Sequence, residues 1–337
     1  MRSSESERGA QLSESSGASE AVESSGTSGH RSAAPRTPLR PGGSGRPGRS
    51  ARADRVGRAL VPYAYLLPTL VLLVVLMVVP IVMVIGYSLR DGAITARTSH
   101  FIGLHNYIEI LTGSNTFWFV SVSVVAHMLI GLGFAMLLNS ESVSRITKTV
   151  FRTLFVLPWL LTIAIVAILW RLLLNPNGIV NAILSGIGLV SSQHEWLADP
   201  GSALVVVTCI NIWSGYPFFM ISILAGLQGI PRDLYEAAEV DGAGPIRRFW
   251  SITIPQLRPI IVSMALLDLI WTSQQFALIW MTTGGGPLSA TEMLSTFTYK
   301  LAFSEYDFSG ASASAVIVLL LSMILAFFYV RSQKARD

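Results

Sequence analysis

The sequence predicts an all-α integral membrane protein with six transmembrane helices and both termini in the cytoplasm. Three observations carry this prediction. Of the 337 residues, 51% are hydrophobic and only 13% charged, against roughly 25% charged in soluble domains. Six apolar stretches each approach or exceed the ~20 residues that cross a bilayer as a helix. The basic residues between those stretches fall almost entirely on one side.

The chain opens on a segment, residues 1–58, with very few large apolar side chains and much Ser, Gly, Pro and Arg. Such a composition cannot bury enough surface to offset ordering entropy, so the segment reads as a disordered cytoplasmic tail. Arg46, Arg49, Arg52, Arg55 and Arg58 approach the first span and could touch anionic lipid headgroups. A solvated tail without a specific role is the simpler reading. Ten of the 24 basic residues precede position 60. The net charge of +4 therefore describes tail and loops, not a nucleic-acid-binding face.

Residues 59–337 read as one six-span domain, with spans at 63–89, 116–138, 151–174, 203–227, 259–282 and 309–330. The first is too long for a cleaved signal peptide, and no small-x-small site follows Tyr87-Ser88-Leu89, so an uncleaved signal anchor fits. Arg145, Lys148 and Arg152 lie between spans 2 and 3. Arg232, Arg247, Arg248 and Arg258 lie between spans 4 and 5, and Arg331, Lys334 and Arg336 follow span 6. With the tail, these outnumber Arg90, Arg97, Arg171 and Lys300 on the opposite side. The positive-inside rule puts both termini and the 229–258 loop of this multi-pass chain in the cytoplasm. The external segments, such as Asn175-Pro176-Asn177-Gly178, Trp196-Leu197-Ala198-Asp199-Pro200 and Gly284-Gly285-Gly286-Pro287, carry turn residues and little charge. The single cysteine, Cys209, lies in an apolar run and reads as a small packed residue.

The 229–258 loop is the most polar connection between spans. Pro231 suits a first helical position. Arg232 to Asp241 holds strong helix formers, and Gly242 can take the left-handed conformation that ends a helix. Pro245 permits a second start, and Pro255 is expected to stop that helix at or before Ile254. Ala237 and Ala238 allow close approach to another surface, while Glu236 and Glu239 at i and i+3 place two carboxylates near one another. Insertion into a groove containing a basic residue and a plain solvated connector both fit these residues.

Glu236-Ala237-Ala238, three residues, Gly242, nine residues, Ile252, one residue and Ile254-Pro255 resembles the signature loop of binding-protein-dependent ABC importer permeases. Ile254 stands where that family usually has Leu. Phe101-Ile102-Gly103-Leu104-His105-Asn106-Tyr107 resembles a motif of the sugar-uptake branch of the MalF/UgpA type. So do Trp170-Arg171 with Asn175-Pro176 and Gly178, and Thr283-Gly284-Gly285-Gly286-Pro287. The resemblance covers about 60–335 and leaves out the tail. It implies the ABC-importer permease fold, a place in a bacterial plasma (inner) membrane, and a coupling segment comprising Glu236, Ala237, Ala238, Asp241, Gly242, Ile252 and Pro255. That segment would dock on a cytosolic ABC ATPase dimer, with Glu236 paired to a basic residue and Gly242 supplying the bend. ATP-driven closure would switch the spans from inward-facing to outward-facing. An extracytoplasmic solute-binding protein would deliver the solute, and a second, different permease subunit would share the path. ATP and Mg would bind the partner ATPase, with no cofactor on this chain.

Independently of the resemblance, the three lysines, Lys148, Lys300 and Lys334, follow no Gly-rich phosphate loop, so ATP hydrolysis by that chemistry is not expected here. No carboxylate pair, Ser/His set or metal cluster shows recognisable spacing at a membrane boundary, so the chain is not read as an enzyme. His127 is the histidine inside a predicted span. With no second ligand at i+3 or i+4, it reads as a satisfied or cavity-facing imidazole.

Polar groups within spans are costly and usually face the bundle interior or a water-filled cavity. Span 5 carries Asp268, Trp271, Thr272, Ser273, Gln274, Gln275 and Phe276, with Asp268, Trp271 and Gln275 on one helical face. Span 4 offers Asn211, Trp213, Tyr216 and Phe218, with Pro217 loosening the helix. Carboxylate and amide groups suit sugar hydroxyls, and an indole suits the apolar face of a sugar ring. Interhelical hydrogen bonding is the competing role for the same residues. Neither span holds an arginine, which favours a neutral di- or oligosaccharide over a polyol or a glycerol-phosphate-like solute. A secondary transporter working without ATP is the rival class, and it would need no docking loop.

Overall fold

The computed structural model describes residues 65–334 apart from 93, 95–97, 112–114, 142, 191 and 192. The predicted 1–58 tail lies outside the described residues. Chain contacts group Leu66–Asp337 as one unit.

Helix α1 (Tyr65–Ser88) has a mean hydropathy of 3.0 and buries none of its most apolar window within the chain. A helix apolar all round and unburied has lipid as its solvent. Its backbone widens into a π turn at Val74–Val78, just before Pro80, whose ring would otherwise strike the carbonyl four residues back. A short antiparallel pair follows, β1 (Arg90–Asp91) with β2 (His100–Phe101). Helix α2 (His105–Leu111) then tacks the end of α1 in place. Asn106 Nδ2 donates to the Ser88 carbonyl at 3.0 Å, and the Tyr107 and Ser88 hydroxyls meet at 2.6 Å.

The remaining elements are α3 (Thr116–Asn139), α4 (Arg145–Leu160), α5 (Ile163–Leu173), α6 (Ile179–Gly186), α7 (Ala203–Gln228), α8 (Arg232–Val240), α9 (Pro245–Ser273), α10 (Ala277–Thr282), α11 (Leu294–Phe303) and α12 (Phe308–Lys334). Among the described residues five helices, α1, α3, α7, α9 and α12, are each long and apolar enough to cross a membrane. The pair α4–α5 makes a sixth crossing when taken together.

That pair corrects the predicted straight span at 151–174, because α4 and α5 meet at 99°. Leu161 is extended and Thr162 caps α5, its hydroxyl accepting from Ile165 N. The cap satisfies a donor that a straight helix would have satisfied with a carbonyl. The predicted fifth span, 259–282, is also corrected. Helix α9 begins at Pro245 and runs through Pro255 without stopping. A π turn at Phe249–Thr253 absorbs the mismatch that the proline creates. At its other end α9 stops at Ser273, Gln274 to Phe276 form a break, and α10 resumes the chain. Pro217, by contrast, is carried inside an unbroken α7.

Helices α3 and α7 form the centre. Ala135 and Leu138 of α3 pack with Phe219, Met220, Ile223 and Leu224 of α7, and Leu257 of α9 closes the cluster. A β-carbon on Gly131 would lie 2.9 Å from Met220 N, so the two backbones touch where α3 offers no side chain. Close approach through small residues is how helices gain packing energy in lipid, where apolar burial alone supplies none.

Candidate functional site

Two regions collect the residues singled out in the sequence. The first is the α8 segment. Gly242 has φ +76°, and two backbone bonds close the helix end around it, Gly242 N to Glu239 O at 3.0 Å and Ala243 N to Ala238 O at 2.8 Å. This is the 6→1, 5→2 pair of a Schellman termination, which the left-handed residue makes possible. The return helix starts at Pro245 with Gly244 as its cap. Arg248 Nη1 reaches Glu239 Oε2 at 2.9 Å, and the Tyr235 hydroxyl meets Thr253 Oγ1 at 2.9 Å, bracing α8 against the start of α9. Arg232 pairs with Glu141 of the α3–α4 turn at 3.0 Å.

Within this segment Glu236, Ala237, Asp241 and Gly242 are exposed, and Ala238 is half-buried. Glu236 has no ion-pair partner among the described residues. Ile252 packs against the central core cluster, and Pro255 is exposed. Val240 and Ile246 flank the bend, 89% and 77% exposed. The surface is therefore a braced hairpin presenting small side chains, an unpaired carboxylate and apolar residues.

The second region is a cavity of about 400 Å³ between α3, α4, α5, α7 and α9. Its polar lining comes from His127, Asn211, Ser214, Asp268, Thr272, Gln274 and Gln275, and its rings from Trp159 and Trp271. One hydrogen-bonded chain runs through it. Thr272 Oγ1 donates to Asp268 Oδ1 at 3.1 Å, and Asp268 Oδ2 meets His127 Nδ1 at 2.8 Å. His127 Nε2 lies 3.1 Å from the Asn211 main-chain oxygen, and Gln275 Nε2 lies 3.4 Å from Asn211 Oδ1. Asn211 Nδ2 is buried and makes no hydrogen bond among the described residues. An unmade buried donor is costly unless something else supplies an acceptor. Among the described lining residues there is no Lys, Arg or Glu, and Asp268 is the one acid.

The family of binding-protein-dependent transport system inner membrane components matches residues 127–336, from the cavity histidine through the α8 hairpin to the last helix. The chain belongs to this family. It is an inner-membrane transport permease. The trehalose/maltose transport permease MalF of Thermococcus litoralis is 37% identical over 240 residues, which span 68% of this chain and 78% of the relative. The sn-glycerol-3-phosphate transport permease UgpA of Escherichia coli O157:H7 is 31% identical over 261 residues, 73% of this chain and 86% of the relative. The crystal structure of a bacterial ABC transporter that imports the acidic polysaccharide alginate shares the fold. Its TM-score is 0.68 at 24% identity, over 85% of this chain and 99% of that one.

Five of the permease's candidate pathway residues, Asn211, Asp268, Trp271, Gln274 and Gln275, line one cavity. Two do not. Phe276, in the break after α9, turns its ring onto Trp280 and Tyr299 at 5.6 and 5.2 Å. Tyr216 is buried against Phe134 at 5.3 Å. Trp213 likewise meets Trp170 edge-on at 5.4 Å, away from the cavity. Sequence reasoning left out Trp159 and Pro158, because a straight third span would not turn them inward. Thr162, placed to cap a new helix just after Pro158, was the available signal.

Proposed function

We propose that this permease forms part of the solute path of an ATP-driven ABC importer for a neutral di- or oligosaccharide. The observation that carries the sugar reading is the cavity wall: donors and acceptors in several directions, two indole rings and no cationic side chain. Sugar rings need that combination, since hydroxyls both donate and accept and the axial C–H face packs on aromatic rings. A glycerol-phosphate-like anion would need a basic group in the wall. The relatives named above are named for a disaccharide in one case and a phosphorylated polyol in the other, and the uncharged character of most of the wall supports the first.

The α8 hairpin is the proposed contact with a cytosolic ATPase dimer, where ATP and Mg would bind. Glu236 would meet a basic residue there, with Ala237 and Ala238 allowing close approach and Gly242 turning the chain back. An even number of crossings puts the start of α1 and the end of α12 on one face of the membrane, and the basic residues make that face cytoplasmic. A second permease subunit would supply the facing wall of the path, an extracytoplasmic binding protein would deliver the sugar, and lipid would surround α1.

Reconstitution tests this reading. The chain is placed in liposomes with its partner permease, ATPase and binding protein, and uptake of labelled maltose and glycerol 3-phosphate is followed with and without ATP. ATP-dependent uptake of maltose alone is expected. Uptake by this chain without its partners and without ATP would sink the coupled reading in favour of a secondary transporter. Preference for glycerol 3-phosphate would sink the neutral-sugar reading.

A further inference from the structure

Helix α6 (Ile179–Gly186) follows the end of α5 and has two unlike sides. One side is used up inside the chain. Asn181 is buried, and its Nδ2 reaches the carbonyl oxygens of Asn175, Pro176 and His194 at 3.2, 3.1 and 2.8 Å. Trp196 Nε1 donates to Asn181 Oδ1 at 2.8 Å. On the other side Ile179, Ile183 and Ile187 recur every fourth residue, each more than half exposed. Ala182 and Gly186 lie among them and are also exposed, so this side offers no polar side chain.

Position and charge together say what meets that side. A β-carbon on Gly178 would lie 2.5 Å from the Leu173 carbonyl oxygen and 2.7 Å from that of Leu172. The start of α6 is therefore seated on the last turn of α5. Ile168 and Leu172 are exposed on α5, part of a segment that crosses the membrane. The isoleucine side thus begins where a membrane-crossing surface ends. Trp196, which α6 grips through Asn181, is of the residue type that collects at headgroup level. From Leu172 to Gln193 the sequence has no Asp, Glu, Lys or Arg. A surface that meets a soluble protein carries a polar rim, and often charge that steers the encounter. This side of α6 has neither.

We propose that α6 is an interfacial helix whose partner is the lipid surface. It lies along the nearer leaflet with Ile179, Ile183 and Ile187 in the boundary between headgroups and acyl chains. Helices of this kind commonly add Lys and Arg that hold anionic lipid. Helix α6 has none, so its hold is apolar and indifferent to headgroup charge. One side grips lipid and the other grips Trp196, and α6 so ties the outer end of α5 to the membrane surface. The opposite end of α5 carries Ile163 and Val166 of the cavity wall, so the anchor also fixes the height of that wall.

The test uses the full chain assembled with its partner subunits in phosphatidylcholine nanodiscs. Cys209→Ser removes the exposed native thiol. Ile179→Cys, Ile183→Cys and Ile187→Cys are then made singly and given a nitroxide, with Leu288→Cys, at a site 92% exposed, as the reference. Electron paramagnetic resonance reads line broadening by oxygen, which dissolves among acyl chains, and by a water-soluble nickel chelate. The three α6 sites are expected to lose the nickel broadening seen at Leu288→Cys and to keep the oxygen broadening. Broadening by nickel as well as oxygen would place α6 in water and overturn the proposal. Broadening by neither would mean that another protein subunit covers it, and would overturn it too. So would nickel broadening that disappears only when the binding protein is added, the behaviour of a docking surface.

Two further arms separate the source of the hold. Adding phosphatidylglycerol should change nothing; nickel exclusion that appears only with this anionic lipid would overturn the apolar contact. In Ile179→Asp/Ile183→Asp the label of Ile187→Cys should regain nickel broadening, and continued exclusion would count against the stripe as the anchor. None of these readings involves solute or ATP, so their failure leaves the transport reading standing, and the reverse holds.

Discussion

The His127 ring fills the space that Gly215 leaves empty: a β-carbon at Gly215 would sit 2.6 Å from Cε1 and 3.1 Å from Cδ2 of the imidazole. No real β-carbon tolerates that approach, and His127 is held on both sides and cannot step back. Gly215→Ala is therefore expected to push the ring off Asp268 or Asn211. Overpacking of this kind costs about 1–3 kcal/mol. Thermal unfolding of the purified complex should show the loss, and a melting curve identical to the parent's would contradict it.

Gly242→Val tests the bend. At φ +76° a β-branched residue is strained by roughly 1–2 kcal/mol, and the two bonds that close α8 would be lost or weakened. The site lies on the exposed hairpin, far along the chain from the cavity residues. Maximal ATP-dependent uptake should fall while the half-saturation constant for solute stays within error. A change confined to half-saturation would show that the bend has another role.

Glu236→Lys should leave the fold intact, because the side chain is exposed and has no ion-pair partner among the described residues. Reversing a charge at a complementary contact costs several kcal/mol, so ATP-dependent uptake and co-purification of the ATPase should each drop by at least about tenfold. Retention of both would remove Glu236 from the coupling contact.

The neighbouring aromatic residues separate into two groups. Trp271 lines the cavity and is 53% exposed, so Trp271→Ala should raise the half-saturation constant for sugar by about tenfold through loss of a stacking surface. Tyr216 packs on Phe134 outside the cavity, and Tyr216→Phe should change uptake by less than about twofold. The reverse ranking would mean that the solute runs elsewhere.

What the sequence showed and what it hid follow from how far apart the deciding groups lie. The six crossings were legible because hydropathy is summed locally over some twenty residues. The Gly242 bend was legible because only residues within one turn decide it. The continuation through Pro255 was hidden because a proline's lost hydrogen bond can be absorbed by a wider turn, and nothing local chooses between a stop and a π turn. The break at Gln274 was hidden for a different reason. Ser295 Oγ donates to the opened Gln275 carbonyl, and the Gln274 side chain donates to Ser322 Oγ, so distant helices hold the break. The partner of His127 was hidden most deeply, since Asp268 lies 141 residues along the chain.

The uninterrupted α9 has a mechanical meaning. Its 29 residues make a rod about 43 Å long, with the Arg248 brace at one end and Asp268 and Thr272 near the other. A tilt of about 5° around the midpoint would swing the two ends by about 2 Å in opposite directions. Asp268, nine residues from the midpoint, would move by about 1 Å, enough to stretch its 2.8 Å contact with His127 beyond hydrogen-bond length, so a push on the hairpin would reach the cavity as a lever stroke, with Leu257 in the central core as its fulcrum.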